Sequence, residues 1–269
     1  MTGCILFTPN SKAADLQTFF EVLAAQRIGQ PAPTYEETLQ VIDQIQNMDS
    51  AKLSLALPAI FEALKMSAET PSINAAFALT AIARRLDSGS ILKPYTQNVA
   101  DMLSTSDVRL NGAAMLIFEQ MRPALPKQTE VPLLLTFLSS SQGALQAKPG
   151  AIGILLKLSP NDPAITQAIV NFMSRPLDIK TRIDACNAIG NAGQNNTVLS
   201  NMVLAMLAEP DPYVKKAAIQ SIQRMGPAVV ARAQPLLLQL ANDPSQARDL
   251  RKRADQALGL NNPLFKDVP

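Results

Sequence analysis

Residues 211–225 read Asp-Pro-Tyr-Val-Lys-Lys-Ala-Ala-Ile-Gln-Ser-Ile-Gln-Arg-Met, followed by Gly226-Pro227. An aspartate before a proline is a helix start, because the carboxylate can accept from free backbone N–H groups and proline suits the first turn. Branched Val214 is followed by Lys215, small residues Ala217 and Ala218 come next, and an Ile pair lies further along. The same order returns at NAAFALTAI from Asn74, VRLNGAAML from Val108, AKPGAIGIL from Ala147, TRIDACNAI from Thr181 and LRKRADQAL from Leu250. The six anchors are separated by 34, 39, 34, 33 and 36 residues, the length of one helical hairpin per repeat.

Pairing each recurrent segment with the stretch before it gives the hairpins. First helices are predicted at 52–65, 91–103, 129–139, 162–173, 197–207 and 228–241, and second helices at 71–86, 107–121, 147–158, 178–190, 211–225 and 247–258. Two amphipathic stretches, 12–27 and 35–47, supply a further hairpin at the amino end. A lone hairpin buries one face poorly, and stacking gives each a neighbour. The expected organisation is therefore an N-terminal capping hairpin over 1–50, six repeats over 51–260 and a tail over 261–269.

Local chemistry marks the boundaries. Thr34 with Glu37 is a capping box, and Thr70-Pro71, Asp162-Pro163 and Asp211-Pro212 each place a cap before a first-turn proline. Gly190, Gly193, Gly226-Pro227 and Pro244 are read as helix ends or turns. The 39-residue spacing holds Ser139-Ser140-Ser141-Gln142-Gly143. That longer turn either changes the stacking angle or is structurally silent, and Pro149 and Gly150 after it predict a helix that begins late.

The segments Asp211 to Ala218 and Asp178 to Ala185 resemble the second-helix signature of HEAT repeats, D-x-x-V-R-x-x-A-A-x-x-A-L-G. Asp107-Val108-Arg109 matches less well, because its aspartate adjoins the branched residue, and the segments with Lys148 and Arg251 lack the aspartate. The resemblance covers roughly residues 50–260 and implies an all-α, right-handed α-solenoid of about seven HEAT-like hairpins. It also implies a structural ladder of Asp178, Arg182, Asp211 and Lys215, with Arg109, Lys148 and Arg251 as counterparts. Carboxylates at helix starts meet the positive end of the helix dipole, and a basic side chain one repeat away can satisfy them.

Composition narrows the chemistry. Histidine is absent, which removes His general bases, Ser-His-Asp and Cys-His arrangements, HExxH sites and most zinc sites. The hydroxylases that share this architecture need paired His-Glu iron ligands, and a bilin-lyase-like activity would need a tetrapyrrole pocket. Asp184 and Glu209 are isolated carboxylates that build neither. Cys4 and Cys186 have no metal or redox spacing, and Cys186 lies on an apolar helix face. No catalytic, cofactor or metal residue is assigned, and no cofactor is expected.

The reading is thus a non-catalytic scaffold that binds a partner protein or peptide through the concave face lined by the second helices. Arg84, Arg85, Asn111, Asn187, Lys216, Gln220, Gln223, Lys252 and Gln256 are the residues expected there. The alternatives are a bilin-lyase-like or other small-molecule carrier or enzyme, and a nucleic-acid-binding solenoid. The carboxy-terminal quarter is rich in Lys and Arg, but Asp249 and Asp255 interrupt it and Trp is absent. With 24 basic against 22 acidic residues, the net charge of +2 argues against phosphate-backbone binding. No apolar run reaches 18 residues, so no membrane span is expected. Met1-Thr2-Gly3-Cys4 ends as a bacterial lipoprotein signal does, and a lipid anchor in the envelope follows only if a longer leader preceded Cys4. Otherwise a cytoplasmic monomer is expected.

Overall fold

Short polar side chains start the helices by accepting from the first free N–H groups. Asp49 accepts from Ala51 N at 2.7 Å, Asp162 from Ala164 N at 2.8 Å and Asp211 from Tyr213 N at 2.8 Å. Asn196 does the same for Leu199 N at 3.1 Å. The computed structural model describes residues 45, 47–64, 69–85, 88–105, 107–121, 127–141 and 144–260. The Thr34–Glu37 capping box, Cys4, the 261–269 tail and all but Ile45 and Asn47 of the amino-terminal hairpin lie outside them.

The fold is an all-α solenoid of helical hairpins, and no strand occurs among the described residues. The chain divides into two compact units, Met1–Pro126 and Lys127–Pro269. In the first, α1 (Ser50–Leu64) pairs with α2 (Glu69–Ala83). Next come α3 (Ser88–Leu92), a 3-10 turn at Lys93–Tyr95 and α4 (Thr96–Leu103), which pack on α5 (Val108–Met121). The single helix expected over 91–103 is therefore broken, with Pro94 in the 3-10 turn. Helices α2 and α5 lie side by side over a core that includes Leu79, Ile82, Ala114 and Phe118.

Among the described residues, the second unit holds four hairpins. Their first helices are α6 (Lys127–Ser139), α8 (Pro163–Met173), α10 (Thr197–Ala205) and α12 (Pro227–Asn242). Their second helices are α7 (Lys148–Leu158), α9 (Ile179–Ala192), α11 (Pro212–Met225) and α13 (Arg248–Leu258). The second helices pack in series, α7 on α9, α9 on α11 and α11 on α13, while α6, α8 and α10 form the other layer. Leu155, Ile169, Phe172, Ile189, Val203, Ile222 and Leu237 fill the seam between layers.

Several local expectations change. Helix α2 begins at Glu69, so Thr70 is inside the helix rather than capping it. Helix α7 does not begin late: it starts at Lys148 with Pro149 in its first turn, led in by a 3-10 turn at Leu145–Ala147. Gly190 does not end α9, which runs to Ala192. A Cβ at Gly190 would stand 2.5 Å from Ser221 Cβ and 2.6 Å from Ser221 Cα, so glycine is there to let α9 and α11 approach. Gly226, with φ of 98°, needs glycine for its conformation.

Among the described residues, three first helices contain interior prolines, Pro58, Pro132 and Pro235. Each removes one helical hydrogen bond to the carbonyl four residues earlier. All three prolines are exposed, as are Ser54, Gln128 and Ala231 that carry those carbonyls, so water can take the place of the missing donor.

Candidate functional site

The second helices align when counted from their N-caps, Asp178 for α9, Asp211 for α11 and Ala247 for α13. Four residues after each cap stand Arg182, Lys215 and Arg251. One residue further stand Ile183, Lys216 and Lys252, and nine after each cap stand Asn187, Gln220 and Gln256. None of these last three amides is buried. They form a row of side chains able both to donate and to accept, carried on helices packed side by side.

The aspartates and basic residues of the anticipated ladder have separate tasks. Asp178 accepts from Thr181 N at 2.9 Å and Thr181 Oγ1 at 2.6 Å, and the threonine hydrogen bonds hold its carboxyl below the usual range. Asp211 caps α11. The basic side chains cross to the turn of the following hairpin: Arg182 reaches Glu209 at 2.7 Å, and Lys215 donates to Gln246 at 3.2 Å. Glu209, an isolated carboxylate in the sequence, is thus the ion-pair partner of Arg182. Asp184 pairs with Lys180 at 2.6 Å on the surface of α9.

Counting from Asp107, which caps α5 by accepting from Arg109 N at 2.8 Å, places Asn111 at the position of Arg182 and Lys215. Arg109 instead folds back onto Asp107, its guanidinium 2.9 Å away, and lowers that carboxyl's pKa. Asn111 is fully buried. It donates to Met102 O at 2.8 Å and Thr105 O at 3.2 Å, closing the end of α4. It is therefore not a surface residue, in contrast to the expectation from its sequence position.

Arg85 is also engaged within the fold. It donates to Ile45 O at 2.9 Å and Met48 O at 2.6 Å, while Arg84 beside it is exposed. Lys148 is fully buried in the second unit. Its ammonium donates to Phe137 O at 2.9 Å and to Ser140 O, and Arg175 donates to Ser139 O at 2.7 Å. Two cations thus close the carboxyl end of α6, where the dipole favours positive charge. Burial, assisted by the nearby Arg175 charge, pushes the Lys148 ammonium down to about 8.

The remaining surface candidates cluster on α9, α11 and α13. Arg224 donates to Asn187 Oδ1 at 3.3 Å, joining α9 to α11. Lys216 pairs with Asp249 at 2.6 Å and stands 5.3 Å from the centre of the Tyr213 ring. Gln223 and Gln256 are exposed, and Asn187, Gln220 and Lys252 are half-buried. The alignment from the N-caps is what brings these residues into rows.

Among known proteins, the model of HEAT repeats matches residues 149–259, from α7 to α13. Residues 149–259 carry HEAT repeats. An archaeal HEAT-like repeat protein from Thermococcus onnurineus NA1 is similar over 94% of this chain and 98% of its own, with a TM-score of 0.56 and 14% identity. A designed armadillo repeat protein in complex with the peptide (KR)4 is similar over 92% of this chain and all of its own, with a TM-score of 0.40 and 14% identity. No curated protein matches the chain. A HEAT-repeat fold is consistent with an interaction scaffold.

The HEAT hairpins also leave a shallow groove on the first-helix layer, between α8 and α10, of about 410 Å³ and lined by Asn161, Thr166, Gln167, Val170, Asn195 and Val198. Asn196 at its floor is committed to the fold, donating to Thr166 Oγ1 at 2.7 Å and Pro160 O at 3.1 Å. Cys186 is fully buried against Ser221, and burial pushes its thiol up to about 11, opposite to the activation a thiol nucleophile needs. Among the described residues no group of three or more Cys, Asp or Glu is placed to hold a metal ion. No described helix is long and apolar enough to cross a membrane.

Proposed function

We propose that this protein is a non-catalytic interaction scaffold whose second-helix face in the Lys127–Pro269 unit takes up an extended polypeptide. The observation that carries the reading is the row Asn187, Gln220 and Gln256, one accessible amide at the same position of each of three adjoining helices. Packed helices lie about 8–10 Å apart, close to three residues of extended chain at about 3.3 Å each. A segment crossing the helices therefore meets one amide roughly every third residue. The side chain can give a hydrogen bond to a backbone carbonyl and take one from an N–H. Many modest contacts spread along a repeat array suit recognition without turnover. Lys216, Gln223 and Lys252 flank the row and would set side-chain preference, with Arg84 a separate surface contact in the other unit.

A photo-crosslinking amino acid placed at Gln220 or Gln256 tests this. The control is the same residue at exposed Gln167 on the first-helix layer. In soluble and envelope fractions of the source cells, one polypeptide should crosslink reproducibly from positions 220 and 256 and not from 167. Crosslinking confined to 167, or the absence of any polypeptide adduct at 220 and 256, would overturn the proposal.

A further inference from the structure

Charge is not spread evenly along the chain. Residues 212–258 contain eight Lys or Arg and three Asp, a net +5, whereas the whole chain carries only +2. The remainder is therefore acidic overall, and the positive charge collects on α11, α12 and α13.

The distribution of partners within this region separates two faces. On the first-helix layer, Arg232 is held by Ser200 Oγ at 3.0 Å and by the Asn201 side chain. On the second-helix face, exposed Arg224 is steered by the amide oxygen of Asn187 at 3.3 Å. Among the described residues, neither Arg224 nor exposed Arg248 lies within ion-pair distance of a carboxylate. Arg224 stands one helical turn beyond Gln220, at the edge of the amide row. Tyr213, with a relative exposure of 63%, lies on the same helix beneath the Lys216 ammonium. An exposed tyrosine beside arginine and lysine is the kind of surface that anchors polypeptides.

We infer that the second-helix face of α9, α11 and α13 is a docking surface for an acidic polypeptide segment, with Arg224 and Arg248 meeting its carboxylates and Tyr213 anchoring its apolar side chains. This rests on the scaffold reading and specifies the partner's chemistry. Complementary charge would both steer encounter and select the partner.

A nucleic acid is the competing polyanion, and Asp249 decides against it. That carboxylate has 52% relative side-chain exposure and lies 2.6 Å from Lys216 and 3.4 Å from Arg253, inside the cationic field. A phosphodiester backbone carries charge at every step and must bring one against Asp249. A peptide can place a neutral or basic residue there and keep its carboxylates for Arg224 and Arg248.

The full-length chain is titrated with a fluorescein-labelled twelve-residue peptide of Glu, Asp and Ser, with its Lys-for-acid counterpart and with a single-stranded oligonucleotide of equal charge. Fluorescence anisotropy is followed at about 50 mM and about 200 mM salt. The acidic peptide should bind tightest and weaken with salt. Arg224→Glu should weaken it roughly fivefold or more, and Arg232→Glu, which changes the net charge equally on the other layer, less than about twofold. Arg224→Gln supplies a milder second variant, and thermal melts confirm that each variant is folded. Equal losses from the two Glu variants, tighter oligonucleotide binding or no acidic-peptide binding at low salt would overturn the inference. A polypeptide crosslinked at Gln220 and Gln256 that binds Arg224→Glu unchanged would remove the acidic partner and leave the scaffold standing. Absence of any adduct at those positions would remove the scaffold itself.

Discussion

At the scale of the residue, the most consequential side chain is Lys148, a charged group buried against the end of α6. Its hydrogen bonds go to carbonyls at the end of α6 rather than to a carboxylate, so desolvation outweighs attraction and its pKa falls from 10.5 to about 8. Below about pH 8 the ammonium is charged in both the folded and unfolded chain, and the burial cost is fully present. Between about pH 8 and 10.5 the unfolded chain holds the proton and the folded chain does not, so stability rises with pH. Against a Lys148→Met variant, denaturant unfolding should show the wild type gaining over that window. The gain is at most about 3 kcal/mol and less with screening by water at the turn. A constant difference from pH 7 to 10.5 would show that Lys148 keeps an ordinary pKa. The sequence marked Lys148 as the counterpart of Arg182, but not its burial, because the burial depends on the turn that brings Ser140 over it. Asn111 departs from its sequence expectation for a similar reason. Aligning repeats on Val108-Arg109 hid that the distance from the capping Asp107 puts Asn111, not Arg109, at the inward position.

At the scale of the element, caps were legible because Asp162-Pro163 and Asp211-Pro212 act within three residues of themselves. Glycine was not, since its meaning depends on what lies opposite. Gly190 and Gly112 both sit inside second helices, yet a Cβ added to the first would stand 2.5 Å from Ser221 Cβ and one added to the second would meet nothing within 4 Å. Gly190→Ala should therefore destabilise by about 2–3 kcal/mol, because Ser221 Cα is backbone and α9 must move away from α11. Gly112→Ala should stabilise by up to about 1 kcal/mol through helix propensity. Urea unfolding of the two variants checks the contrast, and a loss of similar size at both sites would refute the close approach of α9 and α11. The interior prolines follow the same logic at helix length. Read alone they argue against a helix, but on the wet side of α1, α6 and α12 they cost only a hydrogen bond that water replaces.

At the scale of the whole molecule, a repeat array holds its stability in each hairpin and in the interface to the next. Repeat spacing therefore marks the hairpins, but it does not say where the chain divides into units. The division falls between Pro126 and Lys127, and the ties of the second unit are complete on its own side of that point. Lys127 donates to Leu158 O at 2.7 Å, Arg175 reaches Ser139 O and Asn196 reaches Thr166. Arg182 reaches Glu209 and Lys215 reaches Gln246, so every adjoining pair of hairpins from α6 to α13 carries a polar link beside its apolar seam. A fragment of residues 127–269 should accordingly fold by itself, with a helical circular dichroism spectrum and one cooperative urea transition. Its slope should scale with the surface that the shorter chain buries. Breaking a single link, as in Asn196→Ala, should lower the midpoint of that transition without broadening it, by the roughly 1 kcal/mol that a helix cap contributes. A gradual, non-cooperative loss of helix in the fragment would mean that the four hairpins depend on residues 1–126 for their order.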